Sequence, residues 1–193
     1  AEELARQVTP VPVDVGREED VEHLFARLTE IDHIVTTAVD PAYRPVRELD
    51  VTSARKVIDS KLVAALLLAK HGAHRLRHGG SLTFTAGVAS ERPGPNGSVI
   101  AAVNGALGAL ARALSLELAP IRVNVVSPGW VDTPVWDSIA GAGKGDVLGR
   151  MAARLPVGRV GRPEDLAHAL VFLMENEFVT GTVLHVDGGH RLV

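Results

Sequence analysis

"GPNGSVIAAVNGALGALARALSLELAPIRVNVVSPGWVDTP" (residues 94–134) decides the fold. Its first half, "SVIAAVNGALGALARALSLELA" (98–119), is rich in alanine and leucine and reads as one long helix. Pro120 stops that helix. "IRVNVVSPG" (121–129) is β-branched and ends in a Pro-Gly turn, as a buried strand does. A long helix feeding a short apolar strand is one half of a βαβ unit.

Working outward, the same alternation recurs. "VTPVPVDV" (8–15) reads as a strand, and "REEDVEHLFARLTE" (17–30) as a helix with Val21, Leu24, Phe25 and Leu28 at helical spacing and acids in its first turn. "DHIVTTA" (32–38) is a second strand. "VTSARKVIDSKLVAALLLAKHGAHRL" (51–76) is one long helix for which Thr52 or Ser53 is the expected cap. "GGSLTFTA" (79–86) is a strand entered through a glycine turn. Residues 133–161 are glycine-rich and predict short helices and a mobile loop. "RPEDLAHALVFLMEN" (162–176) is a helix with Pro163 in its first turn, and "GTVLHVDGG" (181–189) is a last strand. Strands alternating with helices of this length predict a doubly wound parallel sheet, a three-layer α/β/α arrangement of the Rossmann type. The 193 residues suit one domain, 1–193, with one sizeable core.

Composition narrows the function. Net charge is −3 and the basic residues are dispersed, so no nucleic-acid groove is expected. No run of eighteen apolar residues occurs, and "AEELARQ" has no basic head followed by an apolar run, so neither a membrane span nor a secretory leader is expected. The absence of cysteine excludes disulfides, thiolate metal sites and a cysteine nucleophile. A cytoplasmic location is the default. "AEELAR" (1–6) reads as the end of a helix already under way.

Four phrases in order, "VDV" (13–15), "ELAPIRVNVVSPGWVDTP" (117–134), "GRPEDLAHALVFLM" (161–174) and "VTGTVLHVDGG" (179–189), resemble the short-chain dehydrogenase/reductase family over residues 9–189. The resemblance implies a carbonyl–alcohol oxidoreductase using NAD or NADP, with the choice between the two unreadable here. The family's glycine-rich turn, TGxxxGxG, does not precede residue 9. About one βαβ unit, roughly 30 residues, is therefore expected upstream, the sheet as given should have a gap beside the 8–15 strand, and the alternative is a short protein with rearranged strand order.

Checked residue by residue, the family's chemistry is replaced. Its catalytic tyrosine falls on Ile100, its lysine on Asn104, its serine on Gly87 and its asparagine on Lys61; its NNAG stretch reads "TTAV" (36–39). Neither Ile100 nor Gly87 donates a proton. Lys61 is the candidate catalytic replacement, because a desolvated lysine titrates low enough to act as an acid or base; the competing reading is a helix lysine reaching solvent or a carbonyl. Tyr43, the sole tyrosine, lies on a loop that borders the substrate cleft in the family. Ser98 is the expected cap of the 98–119 helix. His71, His74 and His78 are expected on one helical face as a solvated C-terminal cluster rather than a metal site, and His185 and His190 as packing or tail residues.

The resemblance assigns cofactor contacts to Asp14, Val15, Pro128, Gly129, Val131 and Thr133, with Pro-Gly as a plain turn and Thr133 as a helix cap the competing reading. It also implies a homodimer or homotetramer through helices 51–77 and 97–119, where Gly105, Ala109 and Ala113 permit close approach. Trp130 and Trp136 are expected on an apolar wall of the cleft, with a lid over 133–161. A non-catalytic dinucleotide-binding protein, or a scaffold that binds nothing, remains the alternative function.

Overall fold

The computed structural model describes residues 8–193, with the backbone alone for 138 and 139; the helix end read into 1–6 lies outside the described residues. Four parallel strands form one sheet in the order β1 (Ile31–Thr36), β2 (Leu76–Thr85), β3 (Arg122–Pro128), β4 (Val183–Val186). The helices are α1 (Glu18–Ala26), α2 (Val51–Ile58), α3 (Ala64–Gly72), α4 (Ser98–Glu117), α5 (Val135–Ala140), α6 (Lys144–Ala152) and α7 (Pro163–Glu175).

The pleat of β3 separates the two faces. Val123 and Val125 point into a core made with Leu67, Leu68, Leu107 and Ala111 of α3 and α4. Arg122 and Asn124 point the other way, where Arg122 donates to the Leu173 and Met174 carbonyls at the end of α7 and Asn124 donates to Val179 O. Helices therefore cover both faces, as the alternating pattern predicted. α4 is long and apolar enough to cross a membrane by length and composition, yet its Leu107, Ala111 and Leu114 are spent on the sheet.

Several expectations are corrected. Residues 8–14 form no strand. Val13 still packs on the core, but the segment pairs with no neighbour among the described residues, and a strand without a partner leaves its ladder groups unmatched. The expected helix 51–76 is broken: Asp59–Val63 is a π-helical turn between α2 and α3, and Ala73–Arg75 is a 3₁₀ turn. β2 starts at Leu76, three residues earlier than expected. Asp50, not Thr52 or Ser53, caps α2, accepting from the N–H groups of both. Gly97 stands at the cap of α4 and Pro134 at that of α5, so neither Ser98 nor Thr133 serves as a cap.

Candidate functional site

Parallel α/β sheets gather their functional loops at the carboxyl ends of the strands. Here that edge is built by the residues after β2, the π-helical turn, the start of α4 and the loop after β3.

Lys61 sits in the π-helical turn and is 8% exposed. Such turns insert one residue into the helical ladder and recur at functional sites. The Lys61 Nζ donates to Asn104 Oδ1 at 2.7 Å and to Ala86 O at 3.0 Å. Burial disfavours the ammonium and lowers the Lys61 pKa from 10.5 to about 8. Gly87 lies against the same group: a Cβ there would stand 3.0 Å from Asn104 Nδ2. Ile100 is buried in a small apolar cluster with Val57 and Val103. The structure thus brings all four substituted positions to the end of β2. It also shows what the sequence did not: a direct hydrogen bond between two of these positions, Lys61 and Asn104. The amine comes from the π-helical turn and the amide from α4, and the two still meet.

Tyr43 borders the same end of α4. Its ring edge lies near Gly97, and the neighbouring Arg44 N–H donates to Asn96 O. It is 55% exposed, and partial burial raises its pKa above 10.0.

The residues after β3 are shaped by packing. A Cβ at Gly129 would stand 2.7 Å from Asp187 Cα and 2.8 Å from its carbonyl oxygen, so the close approach of two backbones requires glycine. Trp136 Nε1 donates to Val131 O at 2.8 Å, and its ring stacks on Trp130 with centroids 4.4 Å apart. The Val131 N–H and the Thr133 hydroxyl have no partner among the described residues. Lys144, from the start of α6, ties Asp132 and Asp137 together at 2.9 and 3.2 Å. The 133–161 segment thus holds two short helices, α5 and α6, anchored to the turn after β3.

Asp14 lies apart from the sheet. Its Oδ1 accepts from Gly16 N and its carbonyl accepts from Arg17 N, forming the turn that starts α1, with Val15 inside it. Gly16 packs beside Asp59 of the π-helical turn, which brings the Asp14 turn close to the Lys61 segment. The three histidines do not share a face. His71 ends α3 and contacts Glu18 at 2.9 Å, a carboxylate that Lys70 also engages; His74 lies in the 3₁₀ turn and His78 in β2.

Comparison with known proteins agrees with this architecture. The family model described as Enoyl-(Acyl carrier protein) reductase matches residues 1–191. Short-chain dehydrogenase/reductase ucsE of Acremonium sp is 38% identical over 165 residues, 83% of this chain. This chain spans 62% of that relative's length. Short-chain dehydrogenase/reductase ATR9 of Stachybotrys chlorohalonatus (strain IBT 40285) is 34% identical over 195 residues, 96% of this chain and 77% of ATR9. Among solved structures, a small-chain dehydrogenase in complex with NADPH superposes with a TM-score of 0.91 at 37% identity, covering 100% of this chain and 93% of that one.

Proposed function

This chain belongs to the short-chain dehydrogenase/reductase family, and from that premise we propose that it binds NAD or NADP and interconverts a carbonyl and an alcohol, with Lys61 handling the proton. The observation that carries this reading is the buried Lys61 amine, joined to Asn104 and beside Gly87 at the end of β2. Burying an amine with no carboxylate beside it disfavours its charge, and an amine titrating near 8 is suited to proton transfer close to neutral pH.

The residues after β3 fit a nicotinamide group. The Val131 N–H and Thr133 hydroxyl, which follow Pro128 and Gly129, have no partner among the described residues, and Asp14 keeps Oδ2 without one for an adenine amine, with Val15 alongside. When bound, the nicotinamide supplies or accepts hydride. In the reducing direction the Lys61 ammonium would give its proton to the substrate oxygen. In the oxidising direction the neutral amine takes the hydroxyl proton. Asn104 orients the Nζ, and Ile100 walls the site from water on the α4 side.

A second reading has its own support. Both Lys61 hydrogen bonds are internal, and Ile100 and Gly87 offer no donor, which suits a dinucleotide-binding protein without turnover. Calorimetric titration with NADH and NADPH, followed by carbonyl reduction with wild type and Lys61→Met, separates the two. Binding with turnover that Lys61→Met removes supports proton transfer by Lys61. Binding without turnover supports the second reading, and no binding of either dinucleotide defeats both. We further propose a single cytoplasmic domain that pairs with itself through α2–α3 and α4, where Gly105, Ala109 and Ala113 stand exposed on α4. Sedimentation velocity tests the pairing.

A further inference from the structure

The end of β2 leaves one polar group without a task, the side-chain nitrogen of Asn104. Asn104 is among the buried residues of α4, 4% exposed. An ammonium has protons to give and no lone pair with which to accept. The atom 2.7 Å from the Lys61 Nζ is therefore the amide oxygen of Asn104, and the amide nitrogen is turned the other way. The charge on Lys61 thus fixes which end of this amide is free.

That free end points at Gly87. A Cβ at Gly87 would stand 3.0 Å from Asn104 Nδ2, against 3.9 Å from Oδ1. Position 87 is where the family pattern places a serine, and the glycine there carries no hydroxyl. The amide nitrogen borders the space that a side chain at 87 would enter. Nδ2 has no hydrogen-bond partner among the described residues. The carbonyls beside it are already engaged. Gly87 O accepts from Ser90 N at 3.2 Å and from Ser90 Oγ at 3.1 Å, and Ala86 O accepts from Lys61 at 3.0 Å. Nor is the nitrogen sealed. Thr83 Oγ1 and Ser127 Oγ are closed off from solvent without a partner, and Asn104 Nδ2 is not among such atoms. Gly87 itself is only half-buried, so the surface reaches this spot.

Lys61 strengthens the donor. Two of its three ammonium protons go to Asn104 Oδ1 and Ala86 O, which leaves one uncommitted. The bond to Oδ1 draws electron density from the amide and makes Nδ2–H a better donor. A ligand atom beside Gly87 would meet an amide N–H backed by positive charge. That arrangement suits an acceptor oxygen that gains negative charge, as a carbonyl oxygen does during reduction.

We propose that Asn104 Nδ2 binds and orients the carbonyl oxygen of the substrate, performing at Gly87 the task of the missing hydroxyl. Its part in reduction rests on the hydride-transfer reading of Lys61; its contact with a carbonyl compound does not.

NMR reads the contact directly. The full chain, labelled with heavy nitrogen and free of nicotinamide, is titrated with cyclohexanone and with methylenecyclohexane, which has nearly the same shape and no acceptor oxygen. The Asn104 side-chain amide is assigned through its own backbone. One of its protons should move downfield, saturably, with the ketone and stay in place with the alkene. Gly87→Ala sets a methyl against Nδ2 at an extended φ of 167°, and should weaken the ketone by about tenfold. Equal shifts with ketone and alkene, an unmoved Asn104 amide, or full ketone affinity in Gly87→Ala each overturn the proposal.

Turnover supplies a second readout. Asn104→Asp keeps an oxygen facing Lys61 and replaces the donor with an acceptor. The new carboxylate favours the charged amine, so the comparison is made near pH 6.5, below the value of about 8 at which wild-type Lys61 titrates. With cyclohexanone and NADPH, kcat/KM should fall by about 10²-fold at that pH. A wild-type rate in Asn104→Asp would reduce Asn104 to a support for Lys61 and overturn the proposal. A moved amide without reduction by the wild type defeats the hydride-transfer reading alone, and reduction with an unmoved amide defeats the role of Asn104 alone.

Discussion

The ends of β2 and β3 lie side by side, and they relate sequence to packing in opposite ways. At the end of β3, "PGWVDT" matches the family phrase, yet Gly129 is required by the Asp187 backbone alone. Its presence is explained before any ligand is considered. At the end of β2, the four positions compared with the family pattern carry other residues, yet Lys61 is buried there with its amine held by two neutral acceptors and no ion pair. A matched motif is thus weak testimony to function where the fold itself demands the residue. A substituted position is strong testimony when it carries a desolvated charge.

This contrast is sharpest in the variant expected to have the largest effect. Lys61→Met should lower carbonyl reduction by roughly 10²–10⁴-fold while dinucleotide binding persists; an unchanged rate would remove Lys61 from the chemistry. Gly129→Ala should do the reverse. Its Cβ would stand 2.7 Å from Asp187 Cα, so stability should fall by about 3 kcal/mol, read as a lower urea midpoint. A stable Gly129→Ala protein that has lost only dinucleotide affinity would break the contrast.

The pH dependence follows from the same amine. An unfolded lysine keeps its proton up to about 10.5, whereas folded Lys61 gives it up near 8. Between these values the unfolded chain binds more protons, so wild-type stability should rise with pH relative to Lys61→Met, by about 2–3 kcal/mol in all. Urea unfolding of both proteins from pH 7 to 10.5 measures this, and parallel profiles would show that Lys61 is not desolvated. Reduction needs the charged amine, so its rate should fall as pH rises through about 8, while alcohol oxidation rises over the same range.

Ile100 supplies the smallest of these tests. Because it packs with Val57 and Val103, restoring the family residue by Ile100→Tyr should overfill that cluster and cost about 1–2 kcal/mol, seen as a lower Tm. An unchanged Tm would mean that the tyrosine pocket persists beneath the isoleucine.

Much of the architecture was legible from local pattern. The strands at 32–38, 121–129 and 181–189 are found as β1, β3 and β4, and the helices at 98–119 and 162–176 as α4 and α7, each with ends adjusted by a few residues. The parallel, two-faced sheet followed from that alternation. The segment 8–15 misled because its β-branched residues report a preference for extended backbone, while a strand exists only with a neighbour to share its hydrogen bonds. The helix at 51–76 misled because an apolar run such as "LVAALLLA" looks equally helical with or without an inserted π-helical turn.

For the site, the identities of the four substituted residues could be read in advance, and their joint effect could not. By itself the sequence determined the order of strands and helices, the family resemblance and which residues stand at 61, 87, 100 and 104, because these are set by neighbours two to four residues apart and by residue chemistry. Only the tertiary structure decided that Lys61 and Asn104, 43 residues apart, share a hydrogen bond, that His190 meets Trp130 edge-on, and that Gly129 has no room for a side chain. Those contacts arise when separate elements pack into one dense interior, where each group's partner and ionisation are set by what the chain brings beside it from far away.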